Sequence, residues 1–122
     1  MNTTPRILIV EDDAVLVAEL QETLTQWGYE VIGLAATGKT AVESALAHKP
    51  DVILMDIRLR GAMTGIQAVE QIHQQLDIPI VYLTAFIDKV LVQQATYLVK
   101  PVRDQELRAG LEMALDRRSA AS

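Results

Sequence analysis

Three acidic side chains, Glu11-Asp12-Asp13, follow directly on a short apolar run, Ile7-Leu8-Ile9-Val10. A second apolar run, Val52-Ile53-Leu54-Met55, ends in Asp56. If both runs are strands of one parallel sheet, their carboxyl ends open on the same edge and the carboxylates crowd into one pocket. Carboxylates that close repel one another unless a cation lies among them or protons neutralise them. An all-oxygen set of this kind suits Mg2+, which favours octahedral oxygen coordination and keeps several waters. Two further apolar runs end in Thr84 and Lys100. Four polar endings on one edge are hard to explain as solvation alone.

The elements that must position these residues are set by hydrophobic spacing. Val15, Leu16, Ala18, Leu20, Leu24 and Trp27 recur at helical period after the first strand, with Asp13 as N-cap and Gly28 as stop. A second strand spans Glu30 to Leu34, and a second helix Thr40 to His48, ended by Pro50. Strand three is Val52 to Met55. A loop through Gly61 leads to Gly65 and a helix running to about Leu76, and Pro79 introduces strand four, Ile80 to Leu83. Asp88 is placed to cap one or two helical turns through Gln94. Tyr97 to Val99 reads as strand five, and the last helix runs from about Arg103 to Arg118. Continuous aliphatic strands alternating with helices predict an α/β fold: a five-stranded parallel sheet with helices on both faces, flavodoxin-like. Ligands in such sheets bind at the carboxyl ends of the strands.

The 122 residues fit one domain with a genuine core, and half are hydrophobic, a globular profile. Cysteine is absent, which excludes disulfides and thiolate metal sites. The first residues lack the apolar stretch of a signal peptide, and no run approaches a membrane span, so no membrane association and a cytoplasmic location are expected. A net charge of −5 argues against direct nucleic-acid binding. Arg108, Arg117 and Arg118 read as solvated positions of the last helix, and His48 and His73 as surface histidines.

The segments Ile-Leu-Ile-Val-Glu-Asp-Asp (7–13), Pro-Asp-Val-Ile-Leu-Met-Asp-Ile-Arg-Leu (50–59), Leu-Thr-Ala (83–85) and Tyr-Leu-Val-Lys-Pro (97–101), in this order, resemble the receiver domain of two-component response regulators. The resemblance covers essentially the whole chain and implies a single receiver domain over 1–122 with no output domain. It implies that Asp56 is the phospho-acceptor, forming an acyl phosphate. Glu11 and Asp12 match the acidic pair that holds Mg2+, Asp12 directly and Glu11 through water, with the Arg58 backbone carbonyl as a further ligand. Thr84 resembles the hydroxyl switch, Lys100 the lysine that ion-pairs the phosphoryl group across a cis Lys100-Pro101 bond, and Tyr97 the aromatic switch. The implied activity is a signalling switch, not a separate enzyme, that takes its phosphoryl group from a histidine kinase or histidine phosphotransfer protein. The chemistry is intelligible on its own terms: a metal, an ammonium and a hydroxyl can each take one equatorial oxygen of the transferring group.

Two departures stand out. Only residues 85–99 separate Thr84 from Lys100, several fewer than in typical members, so the fourth helix is expected to be shortened or irregular. A strand edge exposed there would be open to a second copy, which makes a homodimer a further expectation. In the loop after Asp56, Arg60 stands where many members have proline and Thr64 where aspartate is frequent. Arg58 is placed either over the site, tuning phosphoryl lifetime, or in solvent. The rival readings are a static docking or dimerisation domain of receiver ancestry, a flavin or nucleotide module, which needs a phosphate loop in place of three carboxylates, and an aspartyl-phosphate phosphohydrolase, which needs an acid where Arg58 stands.

Overall fold

The computed structural model describes residues 4–121, and side chains as far as residue 117. The sequence order is β1 (Arg6–Val10), α1 (Ala14–Gln26), β2 (Glu30–Ala35), α2 (Gly38–His48), β3 (Val52–Asp56), α3 (Gly65–His73), β4 (Ile80–Thr84), a 3-10 helix (Phe86–Val92), β5 (Tyr97–Val99) and α4 (Asp104–Ala121). The five strands pair in parallel in the order β2-β1-β3-β4-β5. The flavodoxin-like sheet expected from the strand–helix alternation is therefore present, with its change of winding direction between β1 and β3.

Strand parity divides the core in two. Leu8, Val10, Ile53 and Met55 face α2 and α3, packing with Ala41, Ala45, Ala68 and Ile72. Ile7, Ile9, Leu54 and Leu83 face α1 and α4, packing with Leu20, Leu24, Leu107 and Leu111. Successive strand residues point to opposite faces, so strands that are apolar at every position are what a sheet covered on both sides requires.

Helix starts are set by short polar side chains. The Asp13 carboxylate accepts from the Val15 and Leu16 amides, as expected, and opens α1. α2 begins at Gly38, two residues before the expected Thr40, because Thr37 is the N-cap and exchanges hydrogen bonds with Thr40. Thr64 does the same for α3 with Gln67. α3 ends at His73 and not near Leu76; the chain continues as turns in which Gln75 and Leu76 both donate to the Ile72 carbonyl. The expected strand ends at Leu34, Met55 and Leu83 each move one residue on, and the last helix starts at Asp104. Arg117 is exposed as expected, and the Arg118 side chain lies outside the described residues.

The fourth helix is irregular, as expected: seven residues in 3-10 form, about two turns at three residues per turn. Asp88 is not its cap. The N-cap is Ala85, which offers no side-chain hydrogen bond, and Asp88 lies inside the segment with its side chain paired to Arg58. Val92 is buried, whereas Phe86, Ile87, Val90 and Leu91 face solvent. Among the described residues no helix is long and apolar enough to cross a membrane.

Candidate functional site

Strand register brings the polar endings together. Val10 pairs with Met55 and Asp56 with Leu83, so Glu11, Asp12 and Asp56 emerge from neighbouring central strands. The Glu11 amide donates to the Ala35 carbonyl at 2.9 Å and the Lys100 amide to the Thr84 carbonyl at 2.8 Å, carrying parallel pairing up to the rim on both sides. Glu11 and Asp56 are 3% and 4% exposed, while Asp12 is partly open to water.

Lys100 is the charge partner at the centre. Its Nζ lies 3.2 Å from Asp56 Oδ2, to which it donates, and 2.7 Å from Glu11 Oε1. The second contact is an ion pair with a buried carboxylate oxygen. Glu11 Oε2 accepts from the Asp13 amide, and Asp56 Oδ1 from the Arg58 amide at 3.3 Å. Burial pushes the Glu11 carboxyl up and the nearby Asp56 charge adds to this, against the opposing pull of Lys100 and the Asp13 amide. Burial works against the Lys100 ammonium, but its two carboxylate partners outweigh that, and its pKa is raised.

Glu11, Asp12 and Asp56 each present an oxygen within 4.8 Å of the others. Among the described residues, three carboxylates face one ammonium at the centre, and the exposed Arg60 alone reaches Asp12 from outside at 3.8 Å. An all-oxygen set with surplus negative charge fits a hard divalent cation such as Mg2+.

Thr84 is buried at the end of β4, its hydroxyl donating to the Ala85 carbonyl at 2.9 Å. Tyr97 stands apart from the pocket, half-buried at the start of β5, in register with Tyr82 and packed on the α2–α3 side of the core. The Lys100-Pro101 bond is cis. The Arg58 side chain is largely exposed to solvent, as one of the two expectations had it, and there it pairs with Asp88.

Sequence reading missed two residues. A Cβ on Gly65 would overlap the Asp56 carbonyl oxygen, and the Gly65 amide donates to the Ile57 carbonyl at 2.8 Å. Only glycine lets the start of α3 lie against the backbone of Asp56; its place at the end of the loop was the sole signal. Asp88 was read as a helix cap, and its pairing with Arg58 gave no sequence signal, because that partner is 30 residues distant.

The family model described as "Response regulator receiver domain" matches residues 7–112. The transcriptional regulatory protein PdtaR of Mycobacterium tuberculosis is 41% identical over 118 residues, which is 92% of this chain and 57% of PdtaR. The phyllosphere-induced regulator PhyR of Methylorubrum extorquens is 31% identical over 89% of this chain and 43% of its own length. The chain thus spans about half the length of these curated relatives. Among solved structures, the signal receiver domain of a modulated diguanylate cyclase from Desulfovibrio desulfuricans G20, described as an example of alternate folding, superposes with a TM-score of 0.88 at 32% identity, covering 98% of this chain and all of that one. PhyR from Brucella abortus gives a TM-score of 0.87 at 28% identity, over 98% of this chain and 51% of that one. With the sheet order, the acidic pocket and these likenesses in agreement, the chain belongs to the response regulator receiver family.

Proposed function

We propose that the domain is a phosphorylation-activated switch whose acceptor is Asp56. The observation that carries this reading is the placement of one nearly covered carboxylate, at the end of a central strand, against both a lysine ammonium and two further acids. One oxygen of Asp56 bonds to phosphorus as the bond to the donor's leaving group breaks, giving an acyl phosphate. Lys100, already on Asp56 Oδ2 at 3.2 Å, takes negative charge on the transferring oxygens. Glu11, Asp12 and Asp56, with the Arg58 backbone carbonyl, would hold Mg2+, which lowers the repulsion between carboxylate and phosphoryl group. The Thr84 hydroxyl would leave the Ala85 carbonyl for a phosphoryl oxygen, and Tyr97 would then move inward against β4.

The phosphoryl donor in this reading is a histidine kinase or histidine phosphotransfer protein in the cytoplasm, and the domain supports its own phosphotransfer and self-dephosphorylation. The open edge at β5 is where a homodimer would form. PdtaR is named as a transcriptional regulatory protein, so a downstream effect on gene expression fits the reading. Direct contact of this acidic domain with nucleic acid does not fit it. The receiver fold accounts for the described residues as one domain.

Incubation with acetyl phosphate and Mg2+, followed by intact mass, tests this. One phosphoryl group should add to the wild type and be absent with chelator or in Asp56→Asn. No adduct on the wild type would overturn the reading in favour of a static docking domain.

A further inference from the structure

Arg58 touches Asp56 and the 3-10 helix at once. Its amide donates to Asp56 Oδ1 at 3.3 Å, while its side chain reaches across to Asp88, with Nε and Nη2 on the two carboxylate oxygens at 2.5 and 2.8 Å. This is the two-pronged arginine–carboxylate geometry, and each partner stabilises the other's charged form. Exposure across the pair is uneven: the Arg58 side chain is 75% exposed, that of Asp88 only 7%. Among the described residues no other ion pair joins the loop after β3 to the 3-10 helix.

We propose that Arg58 is a two-position arm that reads the state of Asp56. With Asp56 free, its guanidinium holds Asp88 and pins the 3-10 helix; with Asp56 phosphorylated, it turns to the phosphoryl oxygens and the helix is released. This rests on the reading of Asp56 as phospho-acceptor. A phosphoryl group places extra negative charge and several strong acceptors where the Arg58 amide already sits. Guanidinium suits a phosphate group as well as a carboxylate, so the two anions compete for one fork. Leaving Asp88 demands little of an arginine that is already largely hydrated. Asp88 in turn loses the one ion pair that, among the described residues, ties the 3-10 helix to the loop after β3, so the helix can move once Arg58 leaves. The segment is free to do so. It has no side-chain cap, it is held in 3-10 form, and Val92 is its chief buried apolar anchor. Release therefore changes how Phe86, Ile87, Val90 and Leu91 are presented to solvent.

Hydrogen exchange by mass spectrometry over residues 86–96, with and without acetyl phosphate and Mg2+, tests the arm, with intact mass recorded on each sample. In the wild type, exchange should rise on phosphorylation by about threefold or more, as expected for a coupling of ordinary size. Asp88→Asn should still take up the phosphoryl group but exchange rapidly in both states. Arg58→Gln offers the same test from the other side of the pair: its segment should exchange rapidly without phosphate, and the double variant should add nothing further. A phosphoryl adduct on the wild type with unchanged exchange at 86–96 would overturn the arm alone. Slow exchange in unphosphorylated Asp88→Asn and Arg58→Gln would also overturn it. No adduct on the wild type would overturn it together with the reading beneath it.

Discussion

At the carboxyl ends of the central strands β1 and β3, Asp56 is held from several sides. Asp56 accepts from a backbone amide on one oxygen and an ammonium on the other, and the start of α3 lies against its carbonyl through Gly65. Beyond β4, four of the seven residues of the 3-10 helix are large apolar side chains facing water, and the segment is tied back by Val92 and one ion pair. The acidic pocket thus sits on central strands whose register the two-sided core dictates, and the element beside it is loosely held. A site built this way keeps its geometry while the neighbouring surface is free to respond.

The largest effect is expected at Gly65. Gly65→Ala should cost about 3 kcal/mol, because the new methyl group meets backbone and not a mobile side chain. Urea unfolding measures this, and a cost under about 0.5 kcal/mol would show that the surroundings of Asp56 are not tightly built.

Lys100→Met comes next. It leaves Glu11 and Asp56 facing each other with no ammonium between them. Because Lys100 is itself partly exposed, the expected loss is about 1–2 kcal/mol, and added Mg2+ should restore more stability to the variant than to the wild type. Equal Mg2+ effects on the two proteins would detach the cation from this pocket.

Tyr82, in β4 beneath the 3-10 helix, sharpens the contrast through pH. Burial first, and the Glu70 charge second, raise its phenol above the ordinary value of 10.0. The folded state therefore keeps a proton that the unfolded chain releases from about pH 10, and stability falls as pH rises through that interval. Tyr82→Phe should lose less stability than the wild type between pH 9 and pH 11, as read from urea midpoints. Identical losses would mean that this side of the sheet is open to water.

The smallest effect belongs to Ile87, 81% exposed. Ile87→Ser should change stability by no more than about 0.5 kcal/mol, and a larger loss would show that the 3-10 helix is packed more firmly than its exposure indicates.

Much of this was readable in the sequence because two-sided burial leaves a plain mark. Strands such as Ile7-Leu8-Ile9-Val10 are apolar at every position, and the polar residue at the end of each is pinned to one edge of the sheet. Glu11, Asp12, Asp56 and Lys100 could be grouped on that basis. The short interval 85–99 likewise pointed to an irregular fourth helix. Boundaries were less readable: α2 starts at Gly38 through a Thr37–Thr40 exchange of hydrogen bonds that hydrophobic periodicity does not report. Asp88 looked like a helix cap because capping is the usual local use of an aspartate, whereas its actual partner, Arg58, is brought to it only by tertiary folding. Gly65 was equally silent, since what demands glycine there is the backbone of another element.

The most direct test of the central claim is to trap the acyl phosphate chemically. Treating the phosphorylated protein with borohydride reduces an aspartyl phosphate to the corresponding alcohol, and peptide mapping then identifies the residue. Reduction is expected at Asp56 alone, dependent on Mg2+ during loading. Reduction at Asp12, Asp13 or any other carboxylate, or loading that ignores Mg2+, would contradict it.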